Sequence, residues 1–141
     1  MDINRNSRCT LVADAHYLPF KPGSFTRVVL FEVLEHLRCP FDALHEICRV
    51  LSKKGSVLLS VPNVMFYRVI LRWLLKNKIT VCAGHISGWT SAELQNLLTR
   101  TGFVVVKSGF NDRPWLNKAS VFANVLPRVT KACLVIEAIK F

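Results

Sequence analysis

Two short apolar runs with an amphipathic stretch between them leave few folds open to this chain. The first run, Arg27 to Phe31, encloses Val28, Val29 and Leu30 and follows a turn at Lys21-Pro22-Gly23-Ser24. Bounded by turn residues and rich in β-branched side chains, it reads as a strand buried on both faces. Cys39-Pro40 opens a helix, with proline at the first helical position, where its missing N–H is harmless. Phe41, Leu44, Ile47, Cys48 and Leu51 recur at helical spacing as its inner stripe, and Lys53-Lys54-Gly55 ends it. Val57-Leu58-Leu59-Ser60-Val61 is the second buried strand, closed by Pro62-Asn63. Strand, helix and strand, with polar residues at a strand's carboxyl end, make the βαβ unit of an open α/β sheet. Ligands of such sheets sit at the carboxyl ends of strands. Glu32, Glu35 and His36 follow the first strand directly, and function is expected there.

A chain of 141 residues fits a single domain, residues 1–141, with a sizeable core but little length for a complete doubly wound sheet. Hydrophobic residues make up 51% of it, which implies a membrane or apolar surface that something else covers. Pro62, Asn63, Arg68 and Arg72 interrupt the longest apolar candidate, so no spanning segment is expected. Met1-Asp2-Ile3-Asn4-Arg5 lacks the apolar centre of a signal peptide, and a cytoplasmic location is expected. The five cysteines form no C-x-x-C pair, and Cys9, Cys48 and Cys133 sit in apolar patterns; they read as reduced core thiols. A net charge of +10 would suit nucleic acid, anionic lipid or an acidic substrate. The basic residues are dispersed, however, which reads as a solvated basic surface, with nucleic acid not expected as a partner.

Elsewhere, Cys9 to Ala13 reads as a strand running into Asp14. Val64 to Lys76 sets Phe66, Val69, Ile70, Trp73 and Leu74 against Arg68, Arg72 and Lys76. It reads as a helix packed on the sheet with its basic groups reaching water, or as an interfacial helix near a lipid-linked substrate. Cys82 to Trp89 is loop. Thr90-Ser91-Ala92-Glu93 is a capping box opening a helix with Leu94, Leu97 and Leu98 inside, and Gly102 ends it. Phe103 to Val106 is a strand, residues 107–127 are irregular, and Ala132 to Ile139 is the last strand.

Asp14-Ala15, Leu18-Pro19-Phe20, Ser24-Phe25, Glu32-Val33-Leu34-Glu35-His36-Leu37, Pro40, Ala43-Leu44, Glu46, Arg49-Val50-Leu51, Gly55 and Val61-Pro62-Asn63 carry a resemblance. So does the later pattern His85, Trp89-Thr90, Glu93-Leu94, Leu97-Leu98, Gly102-Phe103. In order and spacing they resemble class I S-adenosylmethionine-dependent methyltransferases of the small-molecule branch called type 11. The resemblance implies a Rossmann-like α/β sheet of family order 3-2-1-4-5-7-6 with the seventh strand antiparallel. It implies S-adenosylmethionine as cofactor, held by Asp2, Asp14, Ala15, Phe31 and Glu32, and Glu35 and His36 as catalytic residues, His36 as the base.

The chain departs from the family at Ser24-Phe25-Thr26, where Ser-Phe-Asp is usual, and at Lys53-Lys54-Gly55-Ser56, where Lys-Pro-Gly-Gly is usual. More seriously, its glycines stand only at 23, 55, 84, 88, 102 and 109, so there is no Gly-rich loop to cradle the methionine end of the cofactor. The chain resembles an N-terminally truncated domain holding the strands equivalent to 3-4-5-7-6. Alone, it is expected to bind the cofactor weakly and turn over nothing. A second reading is non-enzymatic: a remnant or subunit that completes its sheet with a partner or another copy, since Val28 to Phe31 would be an open apolar edge. No metal is part of the first reading. The lesser alternative gathers Glu32, Glu35, His36 and His85 as a magnesium set like that of small-RNA 2′-O-methyltransferases. The methyl acceptor stays open among small metabolites, quinone-type rings and lipid-linked sugars.

Overall fold

The structure, a computed structural model, describes residues 11–76, 84–111 and 132–141. The first apolar run forms β1, Phe25–Phe31, and a 3-10 helix follows at Leu34–His36. Helix α1 spans Pro40–Val50 with Pro40 in its first turn, as the sequence dictates. It stops four residues before the expected Lys54, because Leu51 already turns to extended backbone (φ −74, ψ 139) and starts β2, Leu51–Pro62. Lys54, at φ 60, then makes a turn inside that strand. Helix α2 is Tyr67–Lys76, α3 is Ser91–Arg100, β3 is Phe103–Asn111 and β4 is Cys133–Lys140. Strand β3 thus runs past the expected Val106, because β4 supplies partners as far as Asn111 despite a bulge between Val105 and Lys107.

The four strands lie in the order β1-β2-β4-β3, with β1 parallel to β2 and β4 antiparallel to both of its neighbours. This is the 4-5-7-6 part of the expected sheet, with the antiparallel strand where the family pattern put it. Of the strand expected over 9–13, Val12 makes a lone β-bridge, and residues 9 and 10 lie outside the described residues. Register alternates the side chains: Val28↔Val57 and Leu30↔Leu59 point to one face, Val29↔Leu58 and Phe31↔Ser60 to the other.

The first face carries the core. Leu30, Leu59, Val61 and Ile136 pack with Leu44 and Ile47 of α1 and Leu94 and Leu98 of α3. Each such side chain, fully buried, stabilises the fold by about 1.5–3 kcal/mol. Phe41 is not on that stripe. It is exposed and meets His45 edge-on at 4.6 Å, while Ala43 and Val50 take the inner positions.

The second face corrects the expectation that β1 is buried on both sides. Val29 is 50% and Phe31 57% exposed. Strand β1 stands at the end of the described sheet. Of the inner side chains expected on or just before helix α2, Phe66, Val69 and Ile70 are half-buried, whereas Leu74 is exposed, as are Tyr67, Leu71 and Leu75. Cys133 is buried, Cys39 and Cys48 are half-buried, and all three are free thiols; Cys9 and Cys82 lie outside the described residues. Among the described residues, no helix is long and apolar enough to cross a membrane.

Candidate functional site

At the carboxyl end of β1 the chain makes a sharp exit. Glu32 has φ 55, a left-handed conformation that costs a side-chain-bearing residue roughly 1–2 kcal/mol. Strand β2 holds it there twice: the Glu32 N–H donates to the Ser60 carbonyl at 3.0 Å, and the Ser60 hydroxyl donates to Glu32 Oε1 at 3.2 Å. This turn throws the next residues inward, and Leu34 and Glu35 are fully buried.

Loop 84–89 closes on that 3-10 helix. The backbone N–H groups of Ile86 and Ser87 donate to the Glu35 carbonyl at 2.7 and 3.3 Å. His36 Nδ1 donates to the Gly84 carbonyl at 2.9 Å. A carbonyl only accepts, so Nδ1 carries a hydrogen and Nε2 is the nitrogen left for chemistry. Gly84 has φ +102, which side chains rarely adopt, and a Cβ on Gly88 would fall 2.6 Å from a Val64 methyl. Glycine is therefore required at both ends of the loop. Asn63 secures the other side through a parallel bridge to Trp89, and its own N–H donates to the Ala132 carbonyl at 2.8 Å.

These ties bring the adjacent Glu35 and His36 together with His85, which lies about a third of the sequence further on. Glu35 Oε1 lies 3.9 Å from His36 Nε2 and 4.0 Å from His85 Nε2. The two imidazoles meet edge-on, with centroids 4.8 Å apart. Glu35 is 0% exposed, whereas the His36 side chain is 46% exposed, so the group has one wet side. Glu32 stands apart from this cluster, bound to Ser60.

The remaining expected site residues lie on the 14–20 segment and beyond. Asp14 Oδ1 accepts from the His16 backbone N–H at 2.9 Å and contacts its Nδ1 at 2.6 Å. The backbone N–H, and next the imidazole, hold the Asp14 carboxyl below the usual carboxylate range. Ala15 follows in the same turn, closed by the Tyr17 N–H to the Asp14 carbonyl. Phe31 presents its ring to the open face beside Glu32. Asp2 lies outside the described residues. The contributions of Ser60 and the Gly84 carbonyl were not foreseeable, since each acts across the fold, whereas His16 stands only two residues from Asp14.

A mixed sheet with the 4-5-7-6 strand arrangement and a polar turn after its first strand defines a Rossmann-like methyltransferase domain. Residues 1–108 match the family described as "Methyltransferase domain", and the chain belongs to that family. An uncharacterized protein of Methanocaldococcus jannaschii is 33% identical over 75 residues, which are 52% of this chain and 28% of that protein. Among solved structures, an S-adenosylmethionine-dependent methyltransferase of Thermotoga maritima, described as a possible histamine N-methyltransferase, superposes with a TM-score of 0.70 at 21% identity. That likeness covers 93% of this chain and 63% of that one. A protein described as a "putative methyltransferase", solved in complex with the Haloferax volcanii Trm112 methyltransferase activator, has a TM-score of 0.62 at 19% identity, covering 92% and 60%. The chain thus spans less than two thirds of each of these relatives.

S-adenosylmethionine is the cofactor of this family and fold. The residues present fit part of it. Phe31 offers exposed apolar surface, and Asp14 and Glu32 offer carboxylates for polar groups. The sequence has no Gly-x-Gly pair to receive the methionine carboxylate.

Proposed function

We propose that this chain forms the acceptor-side portion of an S-adenosylmethionine-dependent methyltransferase and works when further polypeptide completes its sheet along β1. The observation that carries this reading is the coincidence of two features on one strand. The carboxyl end of β1 leads into the Glu35–His36–His85 group, while β1 is the end strand of the described sheet, with Val29 and Phe31 exposed on its second face. The cofactor supplies a methyl group on a sulfonium, an already good leaving system, so positioning provides much of the rate. Phe31 and Glu32 would wall the methyl end, and Asp14 with Asp2 would meet the adenosine half. An acceptor that must lose a proton would find His36 Nε2, the nitrogen not engaged by Gly84, on the wet side of the cluster. The exposed leucines of α2 suit an apolar or lipid-linked acceptor better than a strongly polar one.

Calorimetric titration with S-adenosylmethionine tests the reading. The chain alone should bind weakly, because two missing charge-assisted hydrogen bonds of about 1.5–3 kcal/mol each weaken binding by roughly two to four powers of ten. Addition of a Gly-rich strand–loop–helix segment from a family member should restore binding, and methyl transfer should then be measurable. Low-micromolar binding by the chain alone would refute the need for completion.

A second reading is supported by the same open edge: a subunit without catalysis of its own that completes a partner's sheet. The structural neighbour solved with the Haloferax volcanii Trm112 activator is itself held in a complex. Restored binding without any methyl transfer across small metabolites, quinone-type rings and lipid-linked sugars would favour it.

A further inference from the structure

The cluster behind the β1 turn has the composition of a transition-metal site. We propose that Glu35, His36 and His85 together hold one divalent ion of the zinc type, through a Glu35 carboxylate oxygen and one imidazole nitrogen from each histidine. Their ligand atoms all lie within 4.8 Å of one another.

Three observations carry this. First, the donors are preset. The Gly84 carbonyl takes the His36 Nδ1 hydrogen at 2.9 Å, which fixes the tautomer and turns Nε2 toward Glu35. A metal-bound imidazole is oriented in the same way, by a hydrogen bond to its other nitrogen. Second, the spacing leaves room for an ion. Glu35 Oε1 stands 3.9 and 4.0 Å from the two Nε2 atoms, too far for hydrogen bonds. Donors about 2.0–2.1 Å from a tetrahedral zinc stand roughly 3.4 Å apart, so the two Glu35–imidazole distances need contract by about half an ångström and the widest pair by at most about 1.4 Å. Third, the site is anchored from behind and open in front. Glu35 is fully buried and its backbone carbonyl is tied to Ile86 and Ser87, whereas His36 is 46% exposed. A buried carboxylate favours a compensating positive charge, and a dication beside neutral imidazoles provides one.

The donor chemistry selects the ion. Two of three ligands are imidazole nitrogens, which suit zinc and its first-row neighbours, whereas magnesium and calcium require mostly oxygen. Three protein ligands with a free fourth position is the pattern of a catalytic rather than a purely structural zinc site. The location is that of the proposed methyl transfer, and an ion on Nε2 would replace direct proton acceptance by that atom. The test below reads the ion alone, so it stands or fails separately from methyl transfer.

Cobalt(II) serves as the visible probe for the intact chain. The expected result is one cobalt per chain with the d–d absorption of a four- or five-coordinate ion. Zinc should displace it and magnesium in large excess should not. His36→Ala, a substitution at a half-exposed side chain, should weaken binding at least tenfold, about 1.4 kcal/mol. Glu35→Gln should do the same, and His45→Ala on the exposed side of α1 should leave binding unchanged. Absence of d–d bands overturns the proposal. So does binding that persists undiminished in His36→Ala, or thiolate-to-cobalt charge-transfer absorption, which would place the ion on cysteines.

Discussion

The guanidinium of Arg49 grips the carboxylate of Glu46 with two prongs, Nε to Oε2 and Nη2 to Oε1, both at 2.7 Å. The pair also reaches outward. Arg49 Nη1 and Nη2 donate to the carbonyls of Phe20 and Leu18 at 2.9 and 3.1 Å, and the Leu18 N–H donates to Glu46 Oε1 at 2.8 Å. One helical pair thereby pins the segment from Asp14 to Phe20 onto α1 and sets where that acid stands. This gives a physical reason for Glu46 and Arg49 to accompany Leu18-Pro19-Phe20 in the sequence.

Glu46→Ala should destabilise the chain by about 2 kcal/mol at neutral pH, because it strips a backbone N–H and a guanidinium of their acceptor at once. The side-chain hydrogen bonds from Arg49, and then the Leu18 N–H, hold the Glu46 carboxyl below the usual range. A depressed carboxyl adds stability above its unfolded value and loses it as pH falls through the folded one. The gap between wild type and Glu46→Ala in urea midpoints should therefore be widest near neutrality and close in acid. A gap that widened in acid would show that the pair is not the source.

His36→Ala in the sheet-completed protein should lower the rate of methyl transfer to a protonated acceptor by about 10²–10⁴ while leaving cofactor affinity nearly unchanged. An equal loss in cofactor affinity would show instead that His36 matters only as the tie to loop 84–89. Asp14→Ala should have the opposite signature, weakening cofactor binding with little effect on saturated turnover.

The open side of β1 should make the chain associate. Light scattering at micromolar concentration should give a mass above one chain, and Phe31→Lys should lower it by placing charge on the edge strand. A clean monomer in the wild type would remove the argument from exposed Val29 and Phe31.

Helix α2 should bind lipid. Tyr67, Leu71, Leu74 and Leu75 recur at helical spacing on its exposed side, with Leu74 at 65% and Leu75 at 75% exposure. Its sequence YRVILRWLLK has three basic residues and no acid. Vesicles containing anionic lipid should pull the chain down on sedimentation, and neutral vesicles should retain less. Leu74→Glu with Leu75→Glu should abolish the difference. Unchanged sedimentation in that variant would assign the exposed leucines to a protein partner.

Local rules were written plainly in the chain. Pro40 started α1, and the Thr90–Glu93 capping box opened α3, with the Glu93 carboxyl accepting from the Thr90 N–H at 2.9 Å. Alternation and β-branching located β1, β2 and β4, and the order of family motifs located the site, since these depend on neighbours a few residues apart. Burial was not legible, because whether Val29 faces a helix or solvent depends on elements far away in sequence, and an apolar run looks the same in both cases. The length of β3 was decided by β4, which supplies its partners from beyond residue 132. The site followed the same division. The order of residues alone set Glu32, Glu35 and His36 just past the carboxyl end of a strand. The family resemblance set His85 beside them as the lesser alternative. That Glu32 leaves this set for Ser60, and that loop 84–89 is closed through backbone carbonyls, came from the folded chain, because such ties leave no mark in side-chain pattern.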